Sequence, residues 1–135
     1  QGLTRGSTAA HIARATLEGI SFQVADVFDA MERDMGGALS GLRVDGGAAA
    51  SDLLMQLQAD ILGIAVERPK VTESTALGAA YLAGMAVGVW PDLNALSSKW
   101  QLERRFEPTT APDARRQHRA QWSRAVERSK AWVEE

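Results

Sequence analysis

Cysteine is missing altogether from this chain. That excludes a disulfide framework, a thiolate metal site and a cysteine nucleophile, and leaves stability to packing alone. A chain without disulfides agrees with a cytoplasmic location, which is the expectation here. An excess of charge is missing too. The formal net charge is −2, so electrostatics give no reason to expect nucleic acid or an anionic membrane as partner. The longest apolar run, 75–90, is rich in alanine and glycine and falls short of the about 20 strongly apolar residues of a membrane span. No span is predicted.

The opening Gln1-Gly2-Leu3-Thr4-Arg5-Gly6 has no initiator methionine, no basic start and no apolar stretch, so no signal peptide is visible and the chain reads as cut from something longer. There is no Gly-x-x-x-x-Gly-Lys-Ser phosphate loop and no nucleophile elbow. Two histidines, His11 and His118, lie far apart, and neither has a carboxylate or histidine at ligand spacing. Both read as helix residues, and neither a catalytic nor a metal-binding residue is assigned.

What the chain does have is a globular composition: 135 residues, 45% of them hydrophobic, enough for one ordinary core. Its centre of interest is 42–58. Leu42-Arg43-Val44-Asp45 reads as the exit of a buried strand, Gly46-Gly47-Ala48-Ala49-Ala50 as a sharp turn without bulk, and residues from Ser51 as the opening of a helix. Such a turn brings backbone N–H groups and the positive end of a helix to the carboxyl edge of a sheet, where a phosphate or nucleotide can approach the main chain. The plainer reading is a strand-to-helix connection whose glycines only supply positive φ.

Taken in order, 9–35 is expected as a long helix capped by Ser7 or Thr8. Ile12, Thr16, Ile20, Val24, Val27, Phe28 and Met31 form its apolar stripe, and Gly36-Gly37 stop it. A helix over 51–62 puts Leu54, Leu57 and Ile61 on one side before Gly63 ends it. A strand over 64–68 ends at Pro69, whose ring cannot donate to a ladder. Thr75 is expected to cap a third helix running to Gly88, whose small residues would let another backbone or a flat ligand lie close. Pro91, Asp92 and Asn94 mark a loop, 102–106 a brief strand and 108–112 a second loop. The remainder is a terminal helix with His118, Trp122, Ala125, Val126, Ser129, Trp132 and Val133 on one side. Its arginines, Arg115 and Arg119 among them, read as a solvated face. Asp45 and Glu73 are the carboxylates nearest the suspected site, with support roles: Asp45 accepting turn N–H groups, Glu73 at the start of the third helix.

Several blocks in order carry a likeness: Gly2-Leu3-Thr4-Arg5-Gly6, Arg14-Ala15-Thr16-Leu17-Glu18, Leu42-Arg43-Val44-Asp45-Gly46-Gly47-Ala48, Asp60-Ile61-Leu62-Gly63, Val66-Glu67-Arg68-Pro69 and 75–84. With them the chain resembles the C-terminal part of the glycerol kinases, within the FGGY carbohydrate kinase family. The resemblance implies an α/β fragment of an actin-like, ribonuclease H-like ATPase domain, helices packed on a small sheet. Residues 1–135 would be the C-terminal portion of the second domain, on the nucleotide side. The catalytic base, the substrate pocket and the first domain would lie outside this chain, and the missing N-terminal domain would be its main partner.

The implied reaction is transfer of a phosphoryl group from ATP to glycerol, giving glycerol 3-phosphate and ADP with Mg²⁺ as counter-ion. Carried over, the nucleotide contacts fall on Gly46, Gly47 and Ala48 and on Ser51. Many relatives have asparagine at that last position, so a direct contact there would be lost or bridged by water. Two alternatives stay open: another FGGY kinase acting on xylulose or gluconate, and a non-catalytic actin-like nucleotide-binding module. Exposed apolar area and self-association into a homo-oligomer are also expected of such a piece.

Overall fold

The computed structural model describes residues 2–131. Its first element follows from local chemistry. Thr8 sits in extended conformation as N-cap of α1, Ala9–Met35, and its N–H donates to Nδ1 of His11 at 3.1 Å, so a histidine closes the box that Glu or Gln usually closes. At the other end Gly36 turns left-handed (φ 68°), and the N–H groups of Gly36 and Gly37 return to the carbonyls of Arg33 and Glu32. These bounds agree with the expected helix. The packed face agrees only in part: Phe28 of the expected stripe is buried, but so are Ser21 and Ala25 outside it, whereas Ile12 and Val27 are 54% and 60% exposed. Ile20 and Met31 are exposed as well. The small Ser21 and Ala25 bring α1 close to its neighbour, a choice that the outer stripe of larger apolar residues does not offer.

Three strands form one sheet in the order β1-β2-β3. β1, Gly41–Arg43, runs parallel to β2, Ala65–Pro69, with Leu42 beside Val66. β3, Leu102–Phe106, returns antiparallel, with Phe106 beside Val66. The central strand is buried on both faces apart from Glu67, as a strand with partners on both edges and a helix above should be. Pro69 is the last residue of β2 and not the first beyond it, which its place at the end of the ladder permits.

Between β1 and β2 lie a short 3₁₀ turn, Gly47–Ala50, and helix α2, Asp52–Leu62. Leu54, Met55, Leu57, Gln58, Ala59 and Ile61 are all buried, so α2 is covered over most of its circumference. It lies between the sheet and α1, and its Gln58 amide donates to the Ser21 carbonyl at 3.3 Å. The core is Ala49, Leu54, Met55, Ala59, Val66 and Phe106, with Leu17, Leu42 and Val44 packed against it. Burying one such large side chain contributes about 1.5–3 kcal/mol.

Not every helix packs directly on the sheet. Among the described residues α2 makes the main helix contacts with it, α1 packs on α2, and α3, Ser74–Ala86, buries none of its residues. Thr75 does not cap α3, because Glu73 holds the cap position and makes no side-chain cap bond. The open side of Gly84 is taken by the chain's own Trp90, whose Nε1 lies 2.7 Å from where a Cβ would stand. Residues 91–94 are not a plain loop either. Asp92 accepts the Ala95 N–H at 2.8 Å and starts α4, Leu93–Ser97.

α5, Pro112–Ser129, begins with proline in its first turn, as its missing N–H allows. Trp122 stacks on Phe22 of α1 at 5.3 Å and donates its indole N–H to Asp26 at 2.8 Å. Arg119 pairs with Asp29, and Arg115 lies against Gly63, so these two arginines fasten the helix and do not belong to a solvated face. Trp132 and Val133, expected on the same side, lie outside the described residues.

Candidate functional site

The turn after β1 is built from main-chain constraints. Val44 continues the ladder by donating to the Glu67 carbonyl at 3.1 Å, and Gly46 donates to the Thr72 carbonyl at 2.7 Å. Gly46 stands at φ 77°, ψ 174°, a region open in practice only to glycine. Gly47 does not have positive φ. The plainer reading of the glycine pair therefore holds for one member, Gly46, and leaves Gly47 to be explained otherwise.

From Gly46 the chain winds into the 3₁₀ turn, with Ala49 donating to the Gly46 carbonyl and Ser51 to the Ala48 carbonyl. Ser51 is the N-cap of α2: its hydroxyl oxygen accepts the Leu54 N–H at 3.3 Å, which leaves its own O–H free to donate. The N–H groups of Gly47 and Ala48 find no acceptor among the described residues, both residues are exposed, and nothing lies within 4 Å of where a Cβ on Gly46 or Gly47 would stand. Two open amides, a serine hydroxyl and a helix start therefore meet at the carboxyl end of β1.

The supporting residues divide as follows. Asp45 takes a hydrogen bond from the Ser74 hydroxyl, tying the strand exit to the first residue of α3 and not to the turn's own N–H groups. Beneath the turn lies Arg68, whose role was not read from the sequence. Its side chain is 10% exposed. Nη1 donates to the Ala49 carbonyl at 2.8 Å, Nη2 pairs with Asp52 at 2.9 Å and Nε with Glu103 at 2.6 Å. The Glu103 hydrogen bond, with help from the Asp52 bond, outweighs the lowering effect of burial and leaves the guanidinium above its ordinary pKa. The signal was present in the period of the strand, since Arg68 stands two residues from fully buried Val66 and so on the same face.

His11 and His118 are helix residues, as expected, and remote from the turn. A separate cleft of about 900 Å³ runs between α1, α2 and α5, lined by Arg14, Phe22, Asp60, Arg115 and Trp122 among others, and shares no residue with the turn. No described helix is long and apolar enough to cross a membrane.

Residues 1–87 match the profile described as the FGGY family of carbohydrate kinases, C-terminal domain. The chain belongs to this family. It is 64% identical over 132 residues to a glycerol kinase of Dechloromonas aromatica (strain RCB), covering 98% of this chain and 26% of that protein. Among solved structures it is similar to Plasmodium falciparum glycerol kinase with ADP, with TM-score 0.86 and 36% identity over 98% of this chain and 27% of the other. A ligand-bound xylulose kinase from Lactobacillus acidophilus superposes with TM-score 0.72 at 27% identity, covering 96% and 26%. The chain thus spans about a quarter of the length of the curated relatives it matches. The expected fold class, an actin-like ATPase fragment with helices on a small sheet, is the fold observed.

Proposed function

We propose that this chain is the C-terminal portion of the second domain of an ATP-dependent glycerol kinase, and that it supplies part of the ATP/ADP site through Gly46, Gly47, Ala48 and Ser51. The observation that carries this reading is the pair of open amides at Gly47 and Ala48, set at a strand's carboxyl end with clear space before them. Backbone N–H groups so placed suit an anionic or hydrogen-bonding ligand without side-chain chemistry. The ADP named for the similar Plasmodium falciparum structure supports a nucleotide as that ligand. Identity of 64% to a glycerol kinase, against 27% to a xylulose kinase, supports glycerol as the acceptor.

In phosphoryl transfer the protein mainly positions groups and stabilises charge, so a rigid turn of this kind can contribute without a reactive side chain. Among the described residues no cluster of three or more His, Asp or Glu is arranged to hold a metal. Mg²⁺ would then reach the site on the nucleotide's phosphates, its usual manner of binding in kinases, with its protein ligands supplied from beyond this segment.

The test is Gly47→Val in the full-length polypeptide, followed by calorimetric titration of ATP into the folded protein. A branched Cβ in the open space before the turn should weaken ATP on the order of ten- to a hundredfold while leaving the fold intact, because Gly47 needs no positive φ. An unaltered dissociation constant removes Gly47 from the site.

A further inference from the structure

The turn's free amides are only as well placed as the backbone that carries them, and that backbone is held from below by a buried charge. Three nitrogens of Arg68 contact three different elements: the Ala49 carbonyl inside the turn, Asp52 in the first turn of α2, and Glu103 on β3. The guanidinium also lies over the Phe106 ring, 5.3 Å from its centroid. Ala49 itself is buried, and two residues N-terminal to it stand the amides of the proposed contact. Only the arginine of this set is buried, and its two carboxylate partners are about half exposed, so water screens the pairs and stability alone is a poor reason for them. A planar fork that fixes three acceptors at once defines an orientation, which a lysine's single ammonium cannot do.

We propose that Arg68 is a positioning residue for nucleotide binding, clamping the 3₁₀ turn so that the Gly47 and Ala48 amides are pre-set for the ligand. The inference rests on reading that turn as part of the ATP site. It goes beyond that reading in assigning the turn's geometry to a side chain that touches no ligand.

Steady-state kinetics on the full-length polypeptide, varying ATP and glycerol separately, provide the test. Arg68→Lys keeps the charge and loses the fork. KM for ATP should rise on the order of tenfold, while KM for glycerol and kcat at saturating ATP stay within about twofold. A uniform fall in kcat with both KM values unchanged would mean a purely structural arginine and overturns the proposal. If Arg68→Lys does not fold, Glu103→Gln replaces it, since Glu103 is partly exposed and outside the turn. KM for ATP should then rise about threefold with KM for glycerol constant, and an unchanged KM for ATP overturns the proposal. Gly47→Val in the same assay separates the two readings. If it raises KM for ATP while the Arg68 and Glu103 variants do not, the positioning role falls and the turn stands. If none of them moves KM for ATP, both fall.

Discussion

Two adjacent glycines at the head of the turn do different work. Gly46 is glycine for conformation, at φ 77° and ψ 174° with no neighbour in the way, whereas Gly47 is conformationally ordinary. Gly46→Ala should therefore cost roughly 1–3 kcal/mol of stability through backbone strain alone, and Gly47→Ala should cost a small fraction of that. Thermal unfolding of the two variants side by side checks the ordering, and equal losses would refute it. The sequence does not distinguish these residues, because a glycine pair does not say which member carries the unusual backbone angle. For Arg68 the strand period places the side chain on the buried face, but an arginine at a strand's end is normally exposed, and its partners, the Ala49 carbonyl, Asp52 and Glu103, come from three separate segments that only the fold brings together.

At the level of elements, the loop before α5 is pinned to α2 through one carboxylate. Asp60 receives the N–H groups of Thr109 at 2.5 Å and Thr110 at 3.0 Å, the Thr109 hydroxyl and the Gln56 amide. Burial works against its ionisation, but these four donors together outweigh it and lower the pKa below the ordinary 3.8. A carboxyl depressed on folding gives stability that is present above the unfolded value and disappears as pH falls through the folded one. Asp60→Asn should thus cost about 1–2 kcal/mol at neutral pH, discounted for partial exposure, and the difference from the parent should close below about pH 4. Parallel melting curves from pH 7 to pH 3 measure it, and a gap independent of pH would contradict the charged bond.

The long helix is readable to the residue at its C-terminal end, where Gly36 is a strong signal, and at its start to within the choice of Ser7 or Thr8 as cap, which falls on Thr8. Its packed face is readable only in part. Of the expected stripe Phe28 is buried, but apolar residues occur on more than one side of α1, and periodicity does not show that the small Ser21 and Ala25 pack beside it while Ile12, Ile20 and Val27 stay exposed. The short α4 is not evident in the sequence because Pro91 before it and Asn94 within it resemble a loop, while the decisive bond is one Asp92 carboxylate on one N–H.

For the whole molecule, the chain matches only about a quarter of each relative's length. The isolated 135-residue chain should not phosphorylate glycerol, because a substrate that is not bound beside a base gains nothing from proximity. A coupled assay with ATP, Mg²⁺ and glycerol should match the no-protein control, and turnover above it would move the acceptor site into this segment. The same isolated chain should self-associate through the exposed side of α1 and the apolar α3, where Leu82 and Val87 are open.

The clamp beneath the turn also has an order in time. Gly46 to Ser51 and Arg68 leave the ribosome before Glu103 and Phe106 do, so the nascent chain carries the complete turn while half of what grips its arginine has yet to be made. Until β3 pairs with β2, Arg68 has Asp52 and the Ala49 carbonyl but neither the second carboxylate nor the ring beneath it. If the turn holds the nucleotide as proposed, its geometry is completed late in synthesis, by the strand that pairs with β2.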